Sequence, residues 1–252
     1  MTAIQIDIQM NEVNKWKYSD HNLNLLNSNY DMHQETFGII DESEKKELID
    51  IFDTAINFKY DLYKKYLFEY NLFLFRDLKY NIKESVYCLM IGAHTASITN
   101  TNLILERAIK LALIQYQAGN MASYDDDEIT DKYITNDKSF SGKKLNQNIQ
   151  TCQKLGILNE EEAKELKEYK IKFRDGFSHF TPKNILKGEN SLIHVEGPKN
   201  KKLDKYLTMP IYQAIEVRQF AINNAEEHLK YVLKIINHLQ NKVLEKFSKI
   251  NK

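Results

Sequence analysis

The chain has 252 residues and a mass of 29.7 kDa, enough for one large domain or two small ones. Its residues are 42% hydrophobic and 11% aromatic, so a sizeable core is available, yet only eight Gly and three Pro occur. That scarcity excludes collagen-like, Pro/Gly-rich and turn-dense all-β chains and favours long helices. No run of 18 apolar residues is present, so no membrane span is expected. The first residues lack the basic-then-apolar order of a secretory signal. Cys88 and Cys152 are too few for a disulfide framework or a cysteine-based zinc site, and a cytoplasmic protein is expected.

Thirty-five basic and 35 acidic side chains cancel, but not evenly along the chain. Residues 1–140 hold 22 acidic and 14 basic side chains, a net of −8, and residues 141–252 hold 13 acidic and 21 basic, a net of +8. Such a split points either to a polyanionic partner for the basic half or to two halves that pack against each other.

Residues 1–40 are polar and weakly patterned, with period-two alternation in QIDIQM (residues 5–10) that suits a short strand. Ser43, followed by Glu44, Lys45 and Lys46, reads as a capped helix start. Leu48, Ile51, Phe52, Ala55, Ile56, Phe58 and Leu62 then recur at helical spacing, and one helix or a pair runs to about Leu78. Residues 84–118 are apolar around much of the circumference and predict a buried central helix that ends at Gly119-Asn120. Asp125-Asp126-Asp127-Glu128 reads as an exposed, solvated acidic loop rather than a metal site.

Residues 143–155 predict a short helix stopped by Gly156. Asn159 before Glu160, Glu161 and Glu162 is a strong helix start, with an Asn cap and acids in the first turn. Ala163, Leu166, Phe173, Phe177 and Phe180 continue that helix until Pro182 halts it. Residues 183–207 predict a loop or hairpin of net charge +3, with six lysines. Thr208 can cap, and Pro210 opens, a last long helix ending near Phe247. No βαβ alternation appears, so the expected fold is all-α: a helical bundle over residues 81–252, with residues 1–80 as an extension that is mostly helical from about residue 41.

Within the helix after Asn159, the run Phe173-Arg174-Asp175-Gly176-Phe177-Ser178-His179 sets Arg, His and a mid-helix Gly among phenylalanines. In an ideal helix Arg174 and His179 lie about 140° apart around the axis and about 7.5 Å apart along it. They share no stripe, although a long Arg can swing toward the His. The flanking phenylalanines and Gly176 suggest close approach of a second helix, and a two-fold axis there would bring two Arg and two His into one cleft.

Arg, a polar residue, three more residues, then His, late in an all-α bundle, resembles the signature of the HEPN superfamily (higher eukaryotes and prokaryotes nucleotide-binding domains). The preceding apolar helix with Asn102-Leu103-Ile104-Leu105-Glu106-Arg107-Ala108 and the long helix after Pro210 agree with it, so the resemblance covers roughly residues 84–247. It implies a metal-independent endoribonuclease without a cofactor, acting on RNA as a homodimer. The setting it implies is a toxin–antitoxin, abortive-infection or other antiviral defence system, with an antitoxin or regulatory protein as a further partner.

The residue types suit that chemistry. His179 exchanges protons near neutral pH, and Arg174 grips phosphate oxygens in a fork. Asp175 orients one of them, while Ser178, Lys183 and Lys187 are expected to contact the substrate backbone. Against this stands the reading in which Arg174 and His179 only cap a helix end. A related alternative makes the chain a non-catalytic dimerisation or binding module.

The polar patch of His94, Thr95, Ser97, Thr99, Asn100, Thr101 and Asn102 is expected to hold hydroxyls bonded back to their own helix. Glu106 reads as an intrahelical charge. His194, His228 and His238 show no ligand spacing, and no Walker, GxSxG, HExxH or dinucleotide motif is present.

Overall fold

The computed structural model describes residues 30–68, 72–121, 126–187 and 210–250, with side chains from residue 42 onward except residue 211. The strand expected in residues 5–10, the Thr208 cap, His194 and most of the basic loop lie outside these residues. The described residues form helices and no strand, so the chain is all-α as expected. It divides into two compact units, Met1–Asp53 and Thr54–Lys252.

The first unit contributes nearly all of α1 (Tyr30–Thr54). Ser43 therefore lies inside a helix and starts none. The residues around it are good helix formers, and Lys45 pairs with Glu42 at 3.1 Å, one turn away.

The second unit opens with a π turn (Ala55–Lys59), followed by α2 (Tyr60–Tyr63) and α3 (Lys65–Phe68). Tyr66 donates to Glu226 at 2.6 Å, the Leu74 amide donates to the Gln240 side chain at 3.0 Å, and Gln115 donates to the Leu74 carbonyl at 2.9 Å. Residues 54–68 and 72–78 therefore pack within the larger unit, and Ala55, Tyr66, Phe75 and Leu78 are buried in its core.

A 3₁₀ turn (Arg76–Leu78) leads into α4 (Lys79–Met90) and then α5 (His94–Ala118). The single helix expected over 84–118 is thus two. Gly92, at φ +78°, takes the left-handed conformation that breaks the run, and only glycine adopts it without strain. The break folds α4 back along α5. Ser85 becomes a buried hub between them: its carbonyl accepts from Ser97 (3.0 Å), and its hydroxyl bonds Asn100 (3.0 Å) and Thr101 (3.2 Å).

The remaining elements are α6 (Asp127–Ser141), α7 (Leu145–Lys154), α8 (Glu160–Tyr169), a second π turn (Lys170–Asp175), α9 (Gly176–Ser178), α10 (Pro182–Ile185) and α11 (Pro210–Ile250). Two further corrections follow. Asp126 is no free loop carboxylate, since its side chain accepts from the Ile129 amide and caps α6, whose first turn holds Asp127 and Glu128. Pro182 halts nothing, because the helix has already ended and Pro182 stands at the first turn of α10, where its missing N–H costs no bond.

α5 is the axis of the bundle and packs most extensively against α11, then α4 and α6. Its Ile98, Ile104, Leu105, Ala108, Ile109, Ala112 and Leu113 are almost wholly excluded from solvent. The 41 residues of α11 span about 60 Å. Along it Ala225, Leu229, Val232, Ile236, Leu239 and Val243 recur at alternating steps of four and three and are buried against α5.

Candidate functional site

α8 begins as the sequence dictates. The Asn159 side chain accepts from the Glu162 amide at 2.8 Å, and the Glu162 carboxylate accepts from the Asn159 amide at 2.8 Å, a reciprocal capping box. Ten residues later the helix leaves α geometry for the π turn of Lys170–Asp175. The Gly176 N–H is shared there between the carbonyls of Ile171 and Phe173.

Aromatic packing surrounds the turn. Phe173 stacks on His228 with ring centroids 4.4 Å apart and planes within 5°, and also on Tyr169 at 4.4 Å. Phe173 and Phe177 both lean on Phe220 of α11. Inside this cluster Asn102 of α5 donates from Nδ2 to the Phe173 carbonyl at 3.0 Å. Its Oδ1 faces His228 Nε2 at 3.1 Å, and His228 Nδ1 faces the Tyr169 hydroxyl at 2.7 Å. Burial pushes His228 down to about 3, so its ring is neutral.

Arg174 emerges from the turn into a chain of half-buried charges. Its guanidinium bonds Asp175 Oδ1 at 3.0 Å and reaches Glu106 Oε2 of α5 at 3.7 Å. Lys170 pairs with the other Asp175 oxygen, and Lys110 with Glu106 at 3.1 Å. Partial burial raises the Asp175 pKa, but Lys170 and Arg174 outweigh it and hold the carboxyl below the usual range. Glu106 thus proves to be more than the expected intrahelical charge, since it also meets Arg174.

The helix then ends in an unusual way. The Thr181 amide bonds the Gly176 carbonyl at 2.7 Å and the Phe180 amide the Phe177 carbonyl at 3.3 Å, the pair of bonds that closes a Schellman motif. The left-handed position in that motif usually belongs to glycine, but Phe180 occupies it at φ +43°. Its ring is 54% exposed, and Ser178 and His179 are exposed beside it.

The His179 ring makes no hydrogen bond or ion pair among the described residues. Neither does its partner in the motif, Arg174, bond a backbone carbonyl, so neither side chain caps the helix end through a hydrogen bond to the backbone among the described residues. Within one chain Arg174 pairs with carboxylates and not with His179. Lys183 and Lys187 are exposed on and just after α10.

Gly176 does mark a close approach, but an internal one. A Cβ there would stand 2.6 Å from Ile185 Cγ1 of α10. Phe173 and Phe177 are likewise buried in their own core. Gly176, Phe173 and Phe177 therefore face their own chain and not a second copy, and of this group only Phe180 is exposed.

The polar patch on α5 differs from expectation too. Only Thr99 bonds back along its helix, to the Thr95 carbonyl at 2.9 Å. Ser97, Asn100 and Thr101 reach α4, and Asn102 reaches the π turn. His228 was not readable as part of this region, for its partner Asn102 stands 126 positions away in sequence. His238 bonds the Ile157 carbonyl at 3.0 Å. Among the described residues no group of His, Cys, Asp and Glu could hold a metal ion, and no helix is long and apolar enough to cross a membrane. Comparison with protein-family models, curated proteins and solved structures finds no match to this chain.

Proposed function

We propose that the Arg174–His179 segment is the working edge of a metal-independent endoribonuclease of HEPN type that acts as a homodimer. The observation that carries this reading is a half-buried arginine, aimed by Glu106 and Asp175, five residues from an exposed histidine whose ring has no partner among the described residues. A held guanidinium and an unpartnered imidazole, brought to one phosphate, are what phosphodiester cleavage without metal requires. His179 takes the proton of the ribose 2′-OH as that oxygen attacks phosphorus. Arg174 holds the charge growing on the phosphate oxygens. A second proton, from the imidazolium of the other copy, goes to the departing 5′-oxygen. The products are a 2′,3′-cyclic phosphate and a 5′-OH.

Ser178, Lys183 and Lys187 contact the RNA backbone in this scheme. Toxicity toward the host cell and restraint by an antitoxin follow from the resemblance. A second reading makes the chain a non-catalytic binding module, and the double carboxylate pairing of Arg174 favours it, since a tied guanidinium is less free for substrate.

Expression of wild type, His179→Ala and Arg174→Ala from a tight promoter decides between them, with growth and RNA integrity followed. Loss of the proton carrier is worth roughly 10²–10⁴ in rate and loss of the phosphate-gripping charge roughly 10²–10³. Toxicity relieved by either change in a folded protein, cleavage that persists in EDTA, and cyclic-phosphate ends support the nuclease. Equal toxicity from all three proteins, or a strict monomer by light scattering at micromolar concentration, rejects it.

A further inference from the structure

Two buried polar side chains and a half-buried tyrosine, from three helices, meet behind the π turn, and the scheme above gives none of them a task. They are Asn102 on α5, Tyr169 at the end of α8 and His228 on α11. Their bonds can be assigned in one direction only. Asn102 spends an N–H on the Phe173 carbonyl, so its oxygen faces His228 Nε2, which must carry the ring proton. Nδ1 is then bare and accepts from the Tyr169 hydroxyl. The result is a neutral chain of donors that ends on a backbone carbonyl inside the turn.

An ordinary core does not need this. Polar groups gathered at one point in or beside a core cost stability unless all are bonded, and apolar residues of the same shape serve as well for packing. What a carbonyl-directed donor adds is register. A π turn carries one residue more than an α turn, so losing or shifting it rotates everything beyond by about 100° around the axis. Arg174 lies within the turn, and Ser178 and His179 lie beyond it.

We infer that Asn102, His228 and Tyr169 are positioning residues that lock the π turn and so fix the direction of Arg174 relative to the Ser178–His179 end. The effect of this lock on catalysis rests on the ribonuclease reading; its effect on the turn does not. Because burial keeps His228 neutral, the lock holds its tautomer throughout the physiological pH range.

The test uses the full chain with Asn102→Leu, which deletes the donor at similar size, and Tyr169→Phe, which deletes one hydroxyl. Amide hydrogen exchange is followed residue by residue, and cleavage of a single-stranded RNA oligonucleotide is measured in parallel. In Asn102→Leu the amides of residues 171–176 are expected to exchange at least about tenfold faster while α4 and α6 keep their protection. kcat is expected to fall about 10- to 100-fold with KM changed less than about threefold. Tyr169→Phe moves both quantities the same way by less.

Exchange in the turn that is unchanged, or that rises only in step with the whole molecule, overturns the lock. An equal rise in KM with kcat intact overturns it as well. If the wild type cleaves no RNA, the ribonuclease reading fails and the exchange pattern alone decides the lock. Should Asn102→Leu not fold, the single-hydroxyl variant carries both measurements.

Discussion

The two halves of the motif helix differ in kind. From Asn159 to Tyr169 the chain obeys local rules, with a reciprocal cap, acids in the first turn and apolar residues on one face. From Lys170 to Thr181 it breaks several: a π turn, a glycine pressed against Ile185, and a phenylalanine in a conformation that suits glycine. Costly backbone gathered in one half is the distribution that the proposed site would produce.

The largest effect is expected from pH. The unfolded chain protonates His228 below about pH 6.5, whereas the folded chain keeps it neutral down to about 3. The unfolded state therefore binds more protons, and stability falls as pH drops from 6.5 toward 3. His94, lowered by burial and by Lys59, acts in the same sense. Urea unfolding between pH 6.5 and 5, above the carboxylate range, should show a slope in wild type that is shallower in His228→Phe by close to one proton. Equal slopes would mean that the irregular half has no buried neutral imidazole behind it.

Next in size is Gly176→Ala. Ile185 is fully buried and cannot yield, so overpacking of about 1–3 kcal/mol outweighs a helix-propensity gain of about 1 kcal/mol. The sign should reverse in an Ile185→Ala background, where the nearest atoms left are Ile185 N at 3.5 Å and Ile171 O at 3.6 Å. Denaturant midpoints for the four proteins of this cycle measure it; an unchanged sign would show that something other than the Ile185 contact sets the cost.

In the regular half, Asn159→Ala should cost about 1 kcal/mol, the ordinary worth of a cap. A loss well above that would show that the cap supports the π turn as well as its own helix. The smallest effect, and of opposite sign, is expected at Phe180→Gly. Relief of left-handed strain, about 1–2 kcal/mol, is partly cancelled by the chain entropy of glycine, about 0.5–1 kcal/mol. A slight rise in thermal midpoint with a loss of RNA cleavage would identify the strain as kept for function; a fall in midpoint would show that the half-exposed ring packs more than it strains.

This contrast also explains what was legible in the sequence. Asn159 with Glu162, and the end of α5 at Gly119, are local patterns of a few residues, and the structure has both. The all-α class followed from helical spacing along α5 and α11. Ser43 misled because a capping residue is informative only where no helix precedes it, and α1 already runs from Tyr30. The π turn has no signature in its own residues, and the Asn102 side chain that bonds its Phe173 carbonyl stands 71 positions earlier. Gly176 stands out in the sequence as a sign of close approach, but nothing local says that its neighbour is Ile185, nine residues ahead, and not a second copy. Arg174 and His179 could be picked out as unusual, yet the carboxylates that hold the arginine depend on tertiary contact with Glu106.

That contact has a consequence for any anion arriving at the site. Lys110, Glu106, Arg174, Asp175 and Lys170 form a row of alternating charge, three cations to two anions. A phosphate entering the row need not order a loose arginine, because the side chain already stands in place. It has only to trade with Glu106, the more distant carboxylate at 3.7 Å, while Asp175 keeps its grip at 3.0 Å. Released, Glu106 still has Lys110 to balance it. On the proposed ribonuclease reading, the row would admit one phosphate by shifting a single ion pair along its length.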